Sequence, residues 1–216
     1  MLLEKSAKKA YHRYLKSKDI HKLQFGSGLN HLEGWFNTDY FPRENIFFLN
    51  SAKPLNIENS SFDFIFSEHH IEHIQYNDAK LMIAESFRIL KDRGVFRICT
   101  PDLRTYLETY FSENNTSNLF VEDMMCNWIA KGFGNAKHYS PGQDKNISFF
   151  INDIFNNYEH KFIYDFSTLE HLLREAGFKE IYHTRAGFSQ YPELNNIESH
   201  TKSFELPYTL AIEAVK

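Results

Sequence analysis

Apolar and polar residues follow two different periods along this chain, which predicts an α/β protein. Residues 3–18 place their apolar side chains at helical spacing, so an amphipathic helix is predicted there. Phe62–Phe66 and Val95–Cys99 are mostly apolar runs, typical of strands in a parallel sheet that is covered on both faces. A helical pattern lies between the two runs, and the three elements together make a βαβ unit with a right-handed crossover.

The same kind of pattern continues to the end of the chain. Ser167–Glu170 forms a capping box that opens a helix, and Gly177 closes that helix. Strands are predicted near residues 180–184 and 208–215. No internal repeat or linker interrupts the pattern, so residues 1–216 are predicted to form a single domain.

Two segments are predicted to lie outside the regular sheet. Residues 1–21 contain the N-terminal helix, and residues 103–165 form a helical and loop insertion on the substrate side. Within this insertion, Gly132–Lys145 is rich in glycine and carries His138. Its length is typical of a lid over an active site, although a plain surface loop is the alternative.

The stretch KLQFGSGLNHLEGWFNTDY, residues 22–40, contains a candidate ligand site. Gly26 and Gly28 flank Ser27 and allow a tight turn with bare backbone N–H groups. Asp39 ends the next strand, where an acid can accept hydrogen bonds from ribose hydroxyls. It follows Gly28 by 39 − 28 = 11 residues, too few for a crossover helix. The spacing therefore favours a compact nucleoside over a pyrophosphate, with a purely structural turn as the alternative.

Composition restricts the classes of partner and the location. The net charge is −4 and the basic residues are scattered outside the N-terminal helix, which argues against a nucleic-acid partner. The two cysteines, Cys99 and Cys126, are too few for a disulfide framework and indicate a reducing compartment. No apolar run is long enough to span a bilayer, so a cytoplasmic protein without a membrane span is expected.

The densest cluster of polar side chains is SEHHIEH, residues 67–73, directly after a buried strand. Ligand sites in open α/β sheets lie outside such strand ends, and histidine is the readiest general base near neutral pH. His69, Glu72 and His73 also match the H-x-x-E-H pattern of zinc peptidases, which requires a helix to present both histidines. Alternatively, Glu72 and His73 cap the helix that follows.

Several segments, taken together and in order, resemble the class I S-adenosylmethionine-dependent methyltransferases. They are KLQFGSG…GWFNTDYFP, SSFDFIFSEHHIEH, RILKDRGVFRICTPDL, HKFIYDFSTLEHLLREAGF and TLAIEAVK. The set is most similar to bacterial methyltransferase-type-11 proteins that are linked to surface-polysaccharide synthesis. The resemblance implies a Rossmann-like, seven-stranded, mostly parallel sheet with helices on both faces and a reversed final hairpin. It also implies S-adenosylmethionine as the cofactor and S-adenosylhomocysteine as the product.

The resemblance assigns cofactor-binding roles residue by residue. The residues that match the family's cofactor motifs are Phe25, Gly26, Ser27 and Gly28 for the methionine part, Asp39 for the ribose, and Ser67 beneath the methyl group. Many relatives carry an acid where this chain has Asn50 and Ser51. The adenine amine is therefore expected to be recognised by Asn50 or by backbone groups.

Methyl transfer to oxygen needs a base for the departing proton. We expect His69 or His160 in that role, with Glu68 as the group that orients it or as the alternative base. A divalent metal held by these three residues is the alternative that we place second, so no metal is predicted.

The predicted function is methylation of oxygen in a small molecule, or in a sugar or phosphate-like group of a capsular or lipopolysaccharide precursor. The alternatives are a catalytically silent binding subunit that kept the fold, or an N-methyltransferase of a small metabolite. The acceptor and the oligomeric state cannot be read from the sequence.

Overall fold

A computed structural model describes residues 2–112, 147–156, 158–199 and 208–216. Its seven strands are β1 (Lys22–Phe25), β2 (Phe36–Asp39), β3 (Phe47–Phe48), β4 (Phe62–Glu68), β5 (Leu90–Pro101), β6 (Glu180–Thr184) and β7 (Thr209–Val215). Its described helices are α1 (Leu2–Ser17), α2 (Tyr76–Ile89), α3 (Leu103–Phe111), α4 (Ile147–Asn156) and α5 (Phe166–Ala176). None of these described helices is both long and apolar enough to cross a bilayer.

The strands form one sheet in the order β3-β2-β1-β4-β5-β7-β6. The first five are parallel to one another, and β7 runs antiparallel between β5 and β6. Phe25 of β1 pairs with Ser67 of β4, so the carboxyl ends of these two central strands lie side by side. The predicted seven-stranded, mostly parallel sheet with a reversed final hairpin is confirmed.

The two faces of the sheet are covered differently. One face packs Phe62, Ile65 and Phe96 against apolar side chains of α1, α2 and α5. On the opposite face, Phe66 packs with Trp35 and with apolar residues from the segment 186–197. Leu194 of this second cluster lies in a short 3₁₀ helix, Pro192–Leu194, and none of the helices α1 to α5 belongs to the cluster.

The length of the connections explains this difference. The segment between β1 and β2 is only residues 26–35, too short to hold a crossover helix in addition to the glycine turn. Trp35 and the chain segment after β6 take the place of such a helix on that face.

The start of α5 differs from the predicted capping box. Asp165 is the N-cap residue, and its carboxylate accepts a hydrogen bond from the N–H of Thr168 at 2.8 Å. The N-cap is therefore two residues before the predicted Ser167, because the Asp165 carboxylate satisfies a free N–H group in the first turn of the helix. Gly177 ends the helix in the left-handed conformation (φ 114°), as predicted. The predicted lid Gly132–Lys145 lies outside the described residues.

A buried ion cluster fastens the segment after β6 to the sheet. Arg97 of β5 is fully buried, and its Nη1 donates to Glu213 Oε1 at 2.6 Å. Its Nε donates to Glu198 Oε1 at 2.7 Å, and Nη2 donates to the Arg185 carbonyl at 3.2 Å. The three buried charged groups stabilise one another, because burial of any one of them without its partners would cost several kcal/mol of folding free energy, about 3–5 kcal/mol when one partner is removed.

Replacement of Arg97 by methionine tests this dependence. Arg97→Met leaves two buried carboxylates without their cation, and we expect the free energy of unfolding to fall by about 3–5 kcal/mol. Arg104→Met is the matched control, because Arg104 pairs with Glu108 on the exposed face of α3 and should cost about 1 kcal/mol at most. Urea unfolding of both variants measures the difference. Equal losses of unfolding free energy in the two variants would contradict the dependence of the fold on the buried cluster around Arg97.

Candidate functional site

The glycine turn and Asp39 are joined directly. Gly26 and Gly28 have φ values of 57° and 54°, a conformation that favours glycine. Ser27 N donates to the Thr38 carbonyl at 3.0 Å, and Gly28 N donates to Asp39 Oδ2 at 2.9 Å. The short spacing in the sequence therefore corresponds to a compact unit at the carboxyl ends of β1 and β2.

His70 lies against the turn at Gly26. A Cβ atom at Gly26 would lie 2.3 Å from His70 Nδ1, so only glycine allows this approach. The other ring nitrogen, Nε2, is 2.7 Å from Ser51 Oγ. Burial disfavours the charged imidazole and lowers the pKa of His70. The sequence analysis assigned no role to His70 or to this contact, and its only sequence signal was a second histidine after β4.

Several polar groups around the turn are not used within the fold. A Cβ atom at Gly28 would meet nothing within 4 Å, so this part of the turn faces open space. The hydroxyls of Ser27 and Ser67 are buried and have no hydrogen-bond partner among the described residues. Asp39 accepts one N–H at each oxygen, from Gly28 and from Phe41, and each oxygen keeps a second lone pair. A ligand with hydroxyl and charged groups fits these atoms.

The side chains of two other predicted cofactor residues make contacts within the fold. The Phe25 side chain is fully buried and packs edge-on against Phe96, so only its backbone is available at the turn. Asn50 Oδ1 accepts a hydrogen bond from Ala52 N at 3.0 Å. Asn50 also lines a cavity of about 350 Å³ between α1 and the loop after β3. Its contact with adenine stays a prediction.

Glu68 holds the end of the segment after β6. Its Oε2 accepts hydrogen bonds from Ser199 N at 3.0 Å and from Ser199 Oγ at 2.9 Å. Asn30 Nδ2 is 3.5 Å from the same oxygen. These contacts make Glu68 a link between β4 and the segment that Arg97 fastens.

His69 is held in a strained conformation at the end of β4. Its φ of 45° is left-handed, which costs a residue with a side chain about 1–2 kcal/mol. Its Nδ1 is 3.1 Å from Glu72 Oε1, and its side chain is 25% exposed. Strain of this kind persists where the surrounding structure fixes the residue, and it concentrates at functional sites.

Glu72 is the centre of this region, although the sequence analysis gave it at most a capping role. Its carboxylate is fully buried and also accepts a hydrogen bond from Thr100 Oγ1 at 3.0 Å. Burial by itself raises the pKa of Glu72, but the His69 hydrogen bond and the nearby histidine charges outweigh it and lower the pKa to about 2. Gln75 occupies the N-cap position of α2 and makes no side-chain capping hydrogen bond, so the alternative prediction that Glu72 and His73 cap this helix is wrong.

His160 joins the same region from a distant part of the sequence. Its Nδ1 is 2.6 Å from the Ile154 carbonyl, and its ring centroid is 4.8 Å from that of His73. Burial lowers the pKa of His160. The structure therefore brings His69 and His160 close to Glu72, and Glu68 accepts hydrogen bonds from the segment after β6.

The helix that a zinc-peptidase motif needs is absent here. Ile71–His73 forms a 3₁₀ turn, and α2 begins only at Tyr76. His69 contacts Glu72 instead of joining His73 on one helical face, so the peptidase interpretation does not fit.

Comparisons with known proteins agree with this geometry. Residues 36–98 match the family model of a methyltransferase domain. This segment therefore carries the sequence pattern of a methyltransferase domain. S-adenosylmethionine is the cofactor of such a domain, and the unused polar groups around the Gly26–Gly28 turn and Asp39 fit it. No curated protein matches the sequence.

The fold of this chain is similar to that of a solved structure. A S-adenosylmethionine-dependent methyltransferase from Archaeoglobus fulgidus is 16% identical, with a TM-score of 0.53, covering 99% of this chain and 94% of that one. Phosphoethanolamine N-methyltransferase 2 from Haemonchus contortus, solved with S-adenosylhomocysteine, is 14% identical with a TM-score of 0.48. That match covers 96% of this chain and 52% of the other. At 16% identity the likeness to the Archaeoglobus fulgidus structure concerns the fold alone.

Alanine substitutions at two glycines test the contact between the turn and His70. Gly26 and Gly34 both have positive φ, so alanine should cost about 1–2 kcal/mol of unfolding free energy at either position. Only Gly26→Ala also forces His70 to move, and we expect a further loss of about 1–3 kcal/mol. Thermal and urea unfolding compare the two. Gly34→Ala is the control, because its Cβ would meet nothing within 4 Å. Equal destabilisation would disprove the contact.

Proposed function

We propose that this methyltransferase transfers a methyl group to an oxygen of a small molecule or of a sugar or phosphate-like group in a glycan precursor. The binding of S-adenosylmethionine at this place is supported by one observation, the hydrogen bond between the Gly26–Gly28 turn and Asp39, beside the buried hydroxyls of Ser27 and Ser67. The oxygen acceptor and the surface-polysaccharide context rest on the sequence resemblance. A precursor of this kind places the enzyme in the cytoplasm, where the sequence analysis also expects it.

In this proposal each residue at the strand ends binds a different part of the cofactor. The backbone of Gly26–Gly28 and the Ser27 hydroxyl hold the methionine part, and Asp39 accepts the ribose hydroxyls. Ser67 lies next to the turn through the β1–β4 pairing. Asn50, or the backbone near it, holds the adenine.

His69 is the base that we assign, with Glu72 in place of Glu68 as the residue that orients it. Bound S-adenosylmethionine supplies an activated methyl group on a sulfonium, so alignment provides much of the rate. Nδ1–H of His69 donates to Glu72, which makes Nε2 the basic nitrogen. Nε2 takes the acceptor's hydroxyl proton as the oxygen–methyl bond forms and the sulfur–methyl bond breaks.

The cofactor assignment is tested first, by calorimetric titration with S-adenosylmethionine and separately with S-adenosylhomocysteine. Asp39→Asn removes the charge that accepts the ribose hydroxyls, and a hydrogen bond to a charged group contributes about 1.5–3 kcal/mol. We therefore expect binding to weaken by about 10–150-fold.

Asp92→Asn is the matched control for this experiment, because Asp92 is exposed and lies away from the turn, at the start of β5. The Asp92→Asn variant should bind both ligands with the same affinity as the wild type. Wild-type protein that binds neither ligand would rule out the proposed function.

The assignment of the base is tested by His69→Gln. Loss of a general base lowers kcat by about 10²–10⁴-fold, whereas the affinity for S-adenosylmethionine should stay within about threefold of wild type. Formation of S-adenosylhomocysteine is measured with sugar nucleotides and, in parallel, with primary amines, and NMR of a labelled methyl group identifies the atom that is methylated.

Each result separates the alternatives. Methylated amines alone would favour an N-methyltransferase. Tight cofactor binding without turnover on any acceptor would favour the silent binding subunit. An unchanged kcat in His69→Gln would disprove His69 as the base, and Glu68→Gln would then be measured in the same way.

A further inference from the structure

We propose that Glu72, His73 and His160 form a binding site for one divalent transition-metal ion of the zinc class. One ligand atom from each of the three residues lies within 4.8 Å of the other two. This set differs from the one that the sequence analysis weighed, because Glu72 and His73 replace Glu68 and His69.

The chemistry of the three donors selects the type of ion. Two imidazoles and one carboxylate are a common ligand set for zinc in sites that keep an open position. Imidazole favours zinc and neighbouring transition metals, whereas magnesium and calcium prefer sites made of oxygen ligands. The site therefore fits Zn²⁺ better than Mg²⁺ or Ca²⁺.

A hydrogen bond to the backbone fixes the tautomer of His160. A carbonyl can only accept a hydrogen bond, so Nδ1 of His160 carries the proton that it donates to Ile154. The lone pair is then on Nε2. Histidine ligands of metals are usually fixed in this way, by donating their second ring N–H to a carbonyl or carboxylate.

The carboxylate is also fixed from outside the cluster. Thr100 Oγ1 of β5 donates to Glu72 Oε2, which ties the carboxylate to the sheet. In addition, the N–H of Lys161 donates to the Glu72 carbonyl at 2.7 Å. This backbone bond holds the segment with His160 beside the 3₁₀ turn with Glu72 and His73, although the two segments are far apart in sequence.

The distances allow an ion to be bound by side-chain rotation. Zinc–nitrogen bonds of about 2.0–2.1 Å in a tetrahedral site place two ligand atoms about 3.3 Å apart. The three ligand atoms must therefore approach one another by about 1.5 Å at most from their upper limit of 4.8 Å. The imidazoles of His73 and His160 are tilted by 58°, so their rings are not stacked face to face.

Three ligands among the described residues leave one position of a tetrahedral ion open for water or a substrate oxygen. A role of that position in orienting the acceptor hydroxyl rests on the proposed function. The binding of the ion itself does not depend on the proposed function.

The test uses the full chain, stripped of metal with a chelator and titrated calorimetrically with ZnCl₂. We expect one equivalent to bind to the wild type. His160→Gln and His73→Gln should each weaken binding by about 10–100-fold or more, since even loss of outer-shell support has an effect of this size. His171→Gln is the matched control, because His171 is an exposed histidine of α5 outside the cluster, and its affinity should equal that of the wild type.

Titration with Co²⁺ checks the identity of the ligands by visible absorption. Nitrogen and oxygen ligands give weak bands without a thiolate charge-transfer band. A strong thiolate band that Cys126→Ser or Cys99→Ser removes would overturn the proposal, because a cysteine would then hold the ion. Wild-type protein that takes up no Zn²⁺, or that binds it no more tightly than folded His160→Gln and His73→Gln, would overturn it as well.

Measurement of S-adenosylmethionine binding on the same samples keeps the two proposals separate. Loss of Zn²⁺ binding with unchanged cofactor binding supports a second, independent site. Zn²⁺ binding in a wild type that does not bind the cofactor would remove the proposed function and leave the metal site in place.

Discussion

The short connection between β1 and β2 is the constraint on which the rest of the structure depends. Residues 26–35 must leave one strand, form the glycine turn and enter the next strand without a helix. The turn is therefore folded against Asp39, and the hydrogen bond from Gly28 N fixes the two together. The same shortage of chain leaves one face of the sheet without a helix at this place, and the segment 186–197 covers that face with apolar residues.

This covering segment also reaches the candidate site. Glu198 is bound to the buried guanidinium of Arg97, and the next residue, Ser199, donates two hydrogen bonds to Glu68 at the end of β4. The buried ion cluster and the carboxylate beside the site are thus connected through two consecutive residues. The ion cluster that stabilises one face of the sheet consequently also positions a side chain at the carboxyl end of β4.

A second buried charge organises the other half of the site. Glu72 lies in a fully buried position, where an isolated carboxylate would be very costly, and its partners come from three parts of the chain. His69 contacts one oxygen and Thr100 the other, while Lys161 binds its backbone carbonyl. These contacts hold His69 in its strained conformation and place His160 close by. The carboxylate that was expected to orient the base, Glu68, has a different set of partners.

The sequence by itself determined the helices and strands and the glycine turn beside Asp39. Helical and strand periods, the pair Gly26 and Gly28, and the acid Asp39 depend on contacts between residues that are close in the chain, so local patterns were sufficient to predict them. Tertiary structure alone decided that His70 packs on Gly26, that Arg97 meets Glu198, and that His160 joins Glu72. These contacts depend on how segments that are distant in sequence pack over the strand ends, and a local sequence pattern does not specify that packing. For this reason the sequence predicted the strand ends at which Gly26, Asp39 and His69 lie, but it did not reveal that Glu72 is the residue around which the histidines gather.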